Sequence, residues 1–281
     1  MCQLFALSCN APAEVTFAFK GFSARGGATG EHADGFGLAF HDDTGCRLFV
    51  DAGRASDAPL ADFLRTHPIR ARTVLAHIRK ATQGAVQVSN CHPFVREWQG
   101  RHWSFCHNGD LQGFRPRLTG SHLPVGATDS EHAFCWMLQE LRRRFRRARP
   151  VGWAELAPVI ADLAEVIGRH GKFNFLLSDG EALYAFGATC LYGLQRQHPF
   201  PTAHLVDHDL TMDLGVANRA DDRMVLVATE PLTRNEPWLP FEAGELRVYI
   251  AGTEVWRRGP ARRRVACAPP VPDPALSLAS A

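Results

Sequence analysis

Cys2 stands directly after Met1, and that placement suggests chemistry before any fold is considered. Removal of an initiator Met ahead of a small side chain would leave one residue carrying both a thiol and an α-amine. The amine titrates at roughly 7.7–8.0 and the thiol near about 8.5, so both can exchange protons close to neutrality. A nucleophile with a built-in base needs no separate histidine. The plain alternative is that position 2 is only a neighbour of the start codon. Three clusters bear on the choice. Residues 76–83, AHIRKATQ, read as a strand end that delivers Arg79 into a loop. Arg grips a carboxylate through two parallel N–H bonds, while Lys80, Thr82 and the loop backbone can add further contacts to a substrate.

The second cluster is Cys106-His107-Asn108-Gly109-Asp110. An Asn amide followed by a Gly N–H can serve a developing oxyanion, because glycine permits close backbone approach. The competing reading is a hairpin turn, which Asn-Gly signals strongly. The third is Gly126-Ala127-Thr128-Asp129-Ser130-Glu131. It reads as a helix N-cap with Asp129 or Ser130 satisfying free N–H groups, or as a carboxylate offered to a ligand ammonium, and both can hold.

In order, Cys2, HxR-x-A-T at 77–82, Asn90 with His92-Pro93-Phe94, HNG at 107–109 and TDSE at 128–131 resemble the class-II glutamine amidotransferases. The likeness spans about residues 2–250 and is greatest to the stand-alone branch that includes the γ-glutamyl hydrolase of ergothioneine biosynthesis. The resemblance implies an α+β fold, the four-layer αββα N-terminal-nucleophile sandwich. It implies that Cys2 attacks the side-chain amide of glutamine, that Arg79 holds the α-carboxylate and Asp129 the α-ammonium, and that Thr82 lines the pocket. Asn108 and Gly109 would form the oxyanion hole, with Arg25 and His92 in supporting roles. No cofactor or metal is called for. His32 and Asp34 in the loop GEHADGFG invite a metal reading, but one His beside one Asp is more often a hydrogen-bonded turn. Relatives that build amino sugars, purines or asparagine carry a synthase domain after the glutaminase. Here a separate protein would take the ammonia, or none does. A γ-glutamyl compound other than glutamine, or a non-catalytic binding role on the same scaffold, remain the rival readings.

The rest of the chain must position these groups. It has 281 residues, 46% hydrophobic and 21% charged, with net charge +2, as expected of a globular domain with a large core. Arg supplies most of the positive charge, and the run Arg142, Arg143, Arg144, Arg146, Arg147, Arg149 complements a helix end rather than marking nucleic acid. None of the eight cysteines forms a CxxC pair, so a reducing compartment and small buried thiols are expected. The N-terminus lacks a charged leader and no run reaches the ~20 apolar residues of a membrane span. Cytoplasmic location and no membrane partner follow as expectations.

Strands are expected at 3–9, 35–41, 45–50, 73–78, 102–106, 173–178, 181–186, 190–195, 223–229 and 245–250. Helices are expected at 14–22 capped by Asn10, at 58–66 begun by Ser56, at 130–147 with Thr128 or Asp129 as cap, and in a segment ending near 170. Pro158 should lie in the first turn of that last helix. The domain would be 2–256, followed by a flexible Arg/Pro/Ala-rich tail at 257–281.

Overall fold

A computed structural model describes residues 2–146 and 150–260. The chain opens with β1 (Gln3–Glu14), α1 (Thr16–Ala24), β2 (Phe36–Asp42), β3 (Gly45–Asp51), α2 (Pro59–Thr66) and β4 (Arg70–Ile78). It continues through β5 (Phe94–Trp98), β6 (Arg101–Leu111), α3 (Asp129–Arg144), α4 (Trp153–Gly168), β7 (Gly171–Ser178) and β8 (Ala182–Gly187). Last come β9 (Tyr192–Gln197), β10 (Thr202–His204), β11 (Thr211–Asp213), α5 (Leu214–Ala217) and β12 (Arg223–Ala228). The described chain closes with β13 (Leu239–Pro240), β14 (Glu245–Ile250) and β15 (Thr253–Arg258).

Two antiparallel sheets carry the fold, one ordered β13-β9-β12-β1-β4-β2-β3 and the other β15-β14-β8-β7-β6-β5. Side chains alternate along a strand, so a strand buried on both faces reads as a continuous apolar run. β1 is that case. Its Leu4 and Ala6 join Leu176, Leu183 and Ala185 between the sheets, while Phe5, Leu7 and Cys9 pack outward with Phe19 and Phe22 of α1 and Leu64 of α2. On the far side Phe105, Phe173 and Phe175 meet Phe134, Met137 and Leu138 of α3 and Ile160 of α4. The layers are therefore α, β, β, α, the N-terminal-nucleophile arrangement.

Several local expectations are corrected. Asn10 caps no helix: β1 runs on to Glu14 through an irregularity between Ser8 and Ala13, and Asn10 instead braces the approach to β12, accepting from Arg223 N and donating to Asp221 O. Ser56 lies ahead of α2, whose N-cap is Ala58. Thr128 caps α3 by accepting from Glu131 N, and α3 ends at Arg144 with Phe145 as C-cap. Arg147 and Arg149 lie outside the described residues. Pro158 sits well inside α4, where the buried face of Leu156, Ala157, Ile160 and Ala161 holds the helix despite the missing N–H. Asn108-Gly109 is no turn, because both residues lie within β6, opposite Asn174 and Phe173 of β7.

The expected tail boundary also moves. Arg257 and Arg258 end β15, opposite Arg247 and Leu246 of β14, and Arg258 pairs with Asp162 and Glu165 of α4. This edge strand, TEVWRR, alternates exposed and half-buried residues and so lacks an apolar run to signal it. The remainder of the expected tail, residues 261–281 with Cys267, lies outside the described residues. The seven described cysteines are all free thiols, and among the described residues no helix is long and apolar enough to cross a membrane.

Pro158 provides a test of how tertiary packing overrides local preference. A proline inside a helix lacks one ladder hydrogen bond and crowds the preceding turn, at about 3 kcal/mol, partly offset by its stiffening of the unfolded chain. Its side chain is exposed, so Pro158→Ala should raise stability by about 1–2 kcal/mol in urea unfolding. A lower midpoint would show that the ring itself is needed.

Candidate active site

β1 begins one residue after Cys2, so the central strand of the first sheet fixes where the thiol lies. Cys2 Sγ accepts from Lys80 N at 3.3 Å and can donate to Lys80 O at 3.4 Å. Burial pushes the thiol above its ordinary value, opposed by the Lys80 backbone bond and by the Arg79 charge, and reinforced by the Asp129 charge. Arg25 approaches from the end of α1. It bonds Gln3 Oε1, Glu230 O and Pro231 O and pairs with Asp207 at 2.7 Å. It therefore braces the residue after Cys2 and does not touch the thiol.

Arg79 follows β4, and its guanidinium, 3% exposed, is held by backbone oxygens alone. Nη1 donates to Ala85 O, and Nη2 to Gln83 O and Gly84 O. A guanidinium has five N–H donors, and no carboxylate pairs with this one among the described residues. Asn90, fully buried, ties the same loop to the next one by donating to Ala85 O and accepting from Ala127 N. Asp129, 5% exposed, accepts from Leu111 N at 2.8 Å and Ser130 N at 2.9 Å, and among the described residues no cation pairs with it. Two buried opposite charges thus lie within electrostatic reach of the thiol, without ionic partners among the described residues. An uncompensated buried charge is costly, and the zwitterionic end of an amino acid would supply the missing partner to each.

Alternation along β6 directs Asn108 between the sheets, with Ser104 and Cys106. The Asn108 amide is fully buried; among the described residues its Nδ2 reaches only Thr229 Oγ1 at 3.5 Å and its Oδ1 has no partner. Thr229 in turn receives Leu4 N at 2.8 Å, so it couples the start of β1 to Asn108. β5 leaves β6 after Phe105, and beyond it β6 pairs as a strand only with β7. The edge of β6 away from β7 therefore has no strand partner at Asn108–Gly109 among the described residues. Gly109 is dictated by space, since a Cβ there would lie 1.7 Å from Lys172 O.

Three buried histidines stand behind this strand. His107 bonds Ser130 Oγ and Lys172 O, and His77 of β4 reaches across the sheets to His107 O at 3.1 Å. His92 lies 4.1 Å from the His77 ring and 4.4 Å from Phe94, with both ring nitrogens unpartnered among the described residues. Burial lowers His77 to about 3 and His92 well below its ordinary value, so both are neutral. Of the other expected substrate contacts, the Lys80 ammonium pairs with Glu31 and Thr82 is exposed. His32 meets Arg25 O and Asp34 accepts Ala81 N. Thr229 and Asn174, which donates to Asn108 O, were not singled out by sequence. Their partners lie too far along the chain for any local pattern to show.

The family profile of the class-II glutamine amidotransferases matches residues 1–270. The Escherichia coli (strain K12) protein named "Putative glutamine amidotransferase YafJ" is 42% identical over 91% of this chain and 100% of its own. A crystal structure of a "predicted glutamine amidotransferase" from Pseudomonas aeruginosa PA01 superposes with TM-score 0.72 at 37% identity, covering 91% of this chain and all of that one. Glutamine phosphoribosylpyrophosphate amidotransferase from B. subtilis shares the fold, with TM-score 0.58 at 14% identity over 92% of this chain and 49% of its own.

Gly109→Ala should cost at least about 2 kcal/mol in urea unfolding, because the new methyl group meets a backbone oxygen that cannot swing away. An unchanged midpoint would show that β6 and β7 can separate there without penalty.

Proposed function

This chain belongs to the class-II glutamine amidotransferases, and on that premise we propose that it is a cysteine-dependent amidohydrolase acting on glutamine. The observation that carries the reading is the pair of buried charges, Arg79 and Asp129, ionically unpartnered among the described residues and both within electrostatic reach of Cys2. Glutamine is distinguished from other amides by its zwitterionic end. A site with one fixed cation and one fixed anion accepts it and rejects analogues that leave either charge unpaired.

In this reading, loss of Met1 frees the Cys2 α-amine. The amine takes the thiol proton as sulfur attacks the side-chain carbonyl carbon, and the oxygen becomes an anion facing Asn108 Nδ2 and the Gly109 N–H. Collapse breaks the C–N bond, and the amine passes its proton to the departing ammonia. The γ-glutamyl thioester on Cys2 is then attacked by water, giving glutamate and the free thiol. The raised thiol pKa fits this order, because a thiol kept neutral by burial waits for a base and does not ionise unaided. The ammonia leaves to water or to a separate acceptor protein.

Arg79→Lys tests the assignment, since a lysine keeps the charge and loses the fork. L-glutamine should be compared with 4-aminobutanamide, which keeps the amide and ammonium but has no carboxylate. The substitution should lower kcat/KM for glutamine at least tenfold and change that for 4-aminobutanamide less than twofold. Equal losses on both would remove Arg79 from the carboxylate role.

A further inference from the structure

Asn174 lies on β7 opposite Asn108 of β6 and is fully buried. Its Nδ2 donates to Asn108 O at 3.0 Å and to Thr189 Oγ1 at 2.9 Å. Its Oδ1 accepts from Ala188 N at 2.8 Å and from Thr189 N at 2.9 Å. These four bonds use the full capacity of an amide side chain, two donors and two lone pairs. An amide turned over would set its oxygen against Asn108 O and its NH2 against two N–H groups, leaving buried polar atoms unpaired. The side chain is therefore locked in one orientation.

The consequence falls on one peptide unit. Asn108 O and Gly109 N share a plane, and in a trans peptide the carbonyl and the N–H point in opposite directions. With the carbonyl held on the β7 side by Asn174, the Gly109 N–H is directed to the edge of β6 that has no strand partner there among the described residues. A glycine backbone is otherwise the freest to rotate. A hydrogen bond accepted by the carbonyl also polarises the N–H of the same unit. We propose that Asn174 is a positioning residue of the oxyanion site, fixing the Asn108–Gly109 peptide so that the Gly109 N–H meets the anion formed as Cys2 attacks. This role rests on the reading of the chain as a glutamine hydrolase. A purely structural role, tying β7 to the segment after β8, would rest on the bonds to Ala188 and Thr189 instead, so the two can be separated.

Glutamine hydrolysis by the full chain, by Asn174→Ala and by Thr189→Val tests this. Thr189 is exposed, and its valine variant removes the Asn174–Thr189 side-chain bond while leaving the bond to Asn108 O. An oxyanion donor contributes about 10²–10³ in kcat, and misaligning it should forfeit part of that. Asn174→Ala should lower kcat at least tenfold and change KM less than twofold, since a contact made in the transition state alone does not hold the substrate. Thr189→Val should change kcat less than twofold. Asn174→Asp keeps the shape and the oxygen facing Ala188 N and Thr189 N, and carries the same expectation if the alanine variant does not fold. Asn-Gly occurs once in the chain, so ¹³C-carbonyl Asn with ¹⁵N-Gly labelling isolates one NMR resonance for this peptide. It should move in the Asn174 variants and stay in place in Thr189→Val. An unchanged kcat in the Asn174 variants, or an equal loss in Thr189→Val, would overturn the role and leave the hydrolase reading standing. No hydrolysis by the unaltered chain would remove both.

Discussion

Everything at the site depends on β1 being a central strand buried on both faces. A strand packed on Phe19 and Phe22 outside and on Leu176 and Leu183 inside cannot slip by one residue, because a slip would exchange its two faces. Its first residue, Gln3, pairs with Ile78 of β4, so the preceding Cys2 is held beside Lys80. Cys2, the proposed nucleophile, is thus placed by the core of the fold and not by a flexible terminus. The same alternation turns His77 of β4 and Asn108 of β6 toward the space between the sheets, where the site is assembled.

The second constraint is electrostatic. Buried charges are normally paired, yet Arg79 is wrapped by the carbonyl oxygens of 83–85 and Asp129 by two backbone N–H groups at the start of α3. Dipoles hold each charge without neutralising it. Asn90 ties the two loops together, fixing the distance between cation and anion. Glu131 adds to this by accepting from Val125 N and Gly126 N while pairing with Arg96. Such an arrangement lowers stability in the free protein and gains it back in contact with a ligand of complementary charge.

Much of this was legible in the sequence, for physical reasons that also explain the failures. Apolar runs located most of the larger strands, because strands buried on both faces leave continuous signals. β15 escaped notice because an edge strand with no fully buried residue leaves none. Asn-Gly was ambiguous because the same pair makes a tight turn or permits close backbone approach, and only the contact with Lys172 O decides. Asn10 and Pro158 were misread because helix capping and breaking rules are local, whereas β1 and α4 are held by packing. Cys2, Arg79 and Asp129 were visible through position and residue type. Thr229 was not, since its bond to Leu4 crosses almost the whole chain.

The central claim is that Cys2 is a free N-terminal nucleophile facing a glutamine-shaped site. Intact-mass measurement after exposure to 6-diazo-5-oxo-L-norleucine, a glutamine-shaped electrophile, tests it most directly when combined with N-terminal sequencing of the untreated protein. The account predicts a chain beginning at Cys2 and a single adduct on that residue, prevented by excess L-glutamine. A retained Met1 with no adduct would contradict it, leaving the fold without a nucleophile that carries its own base.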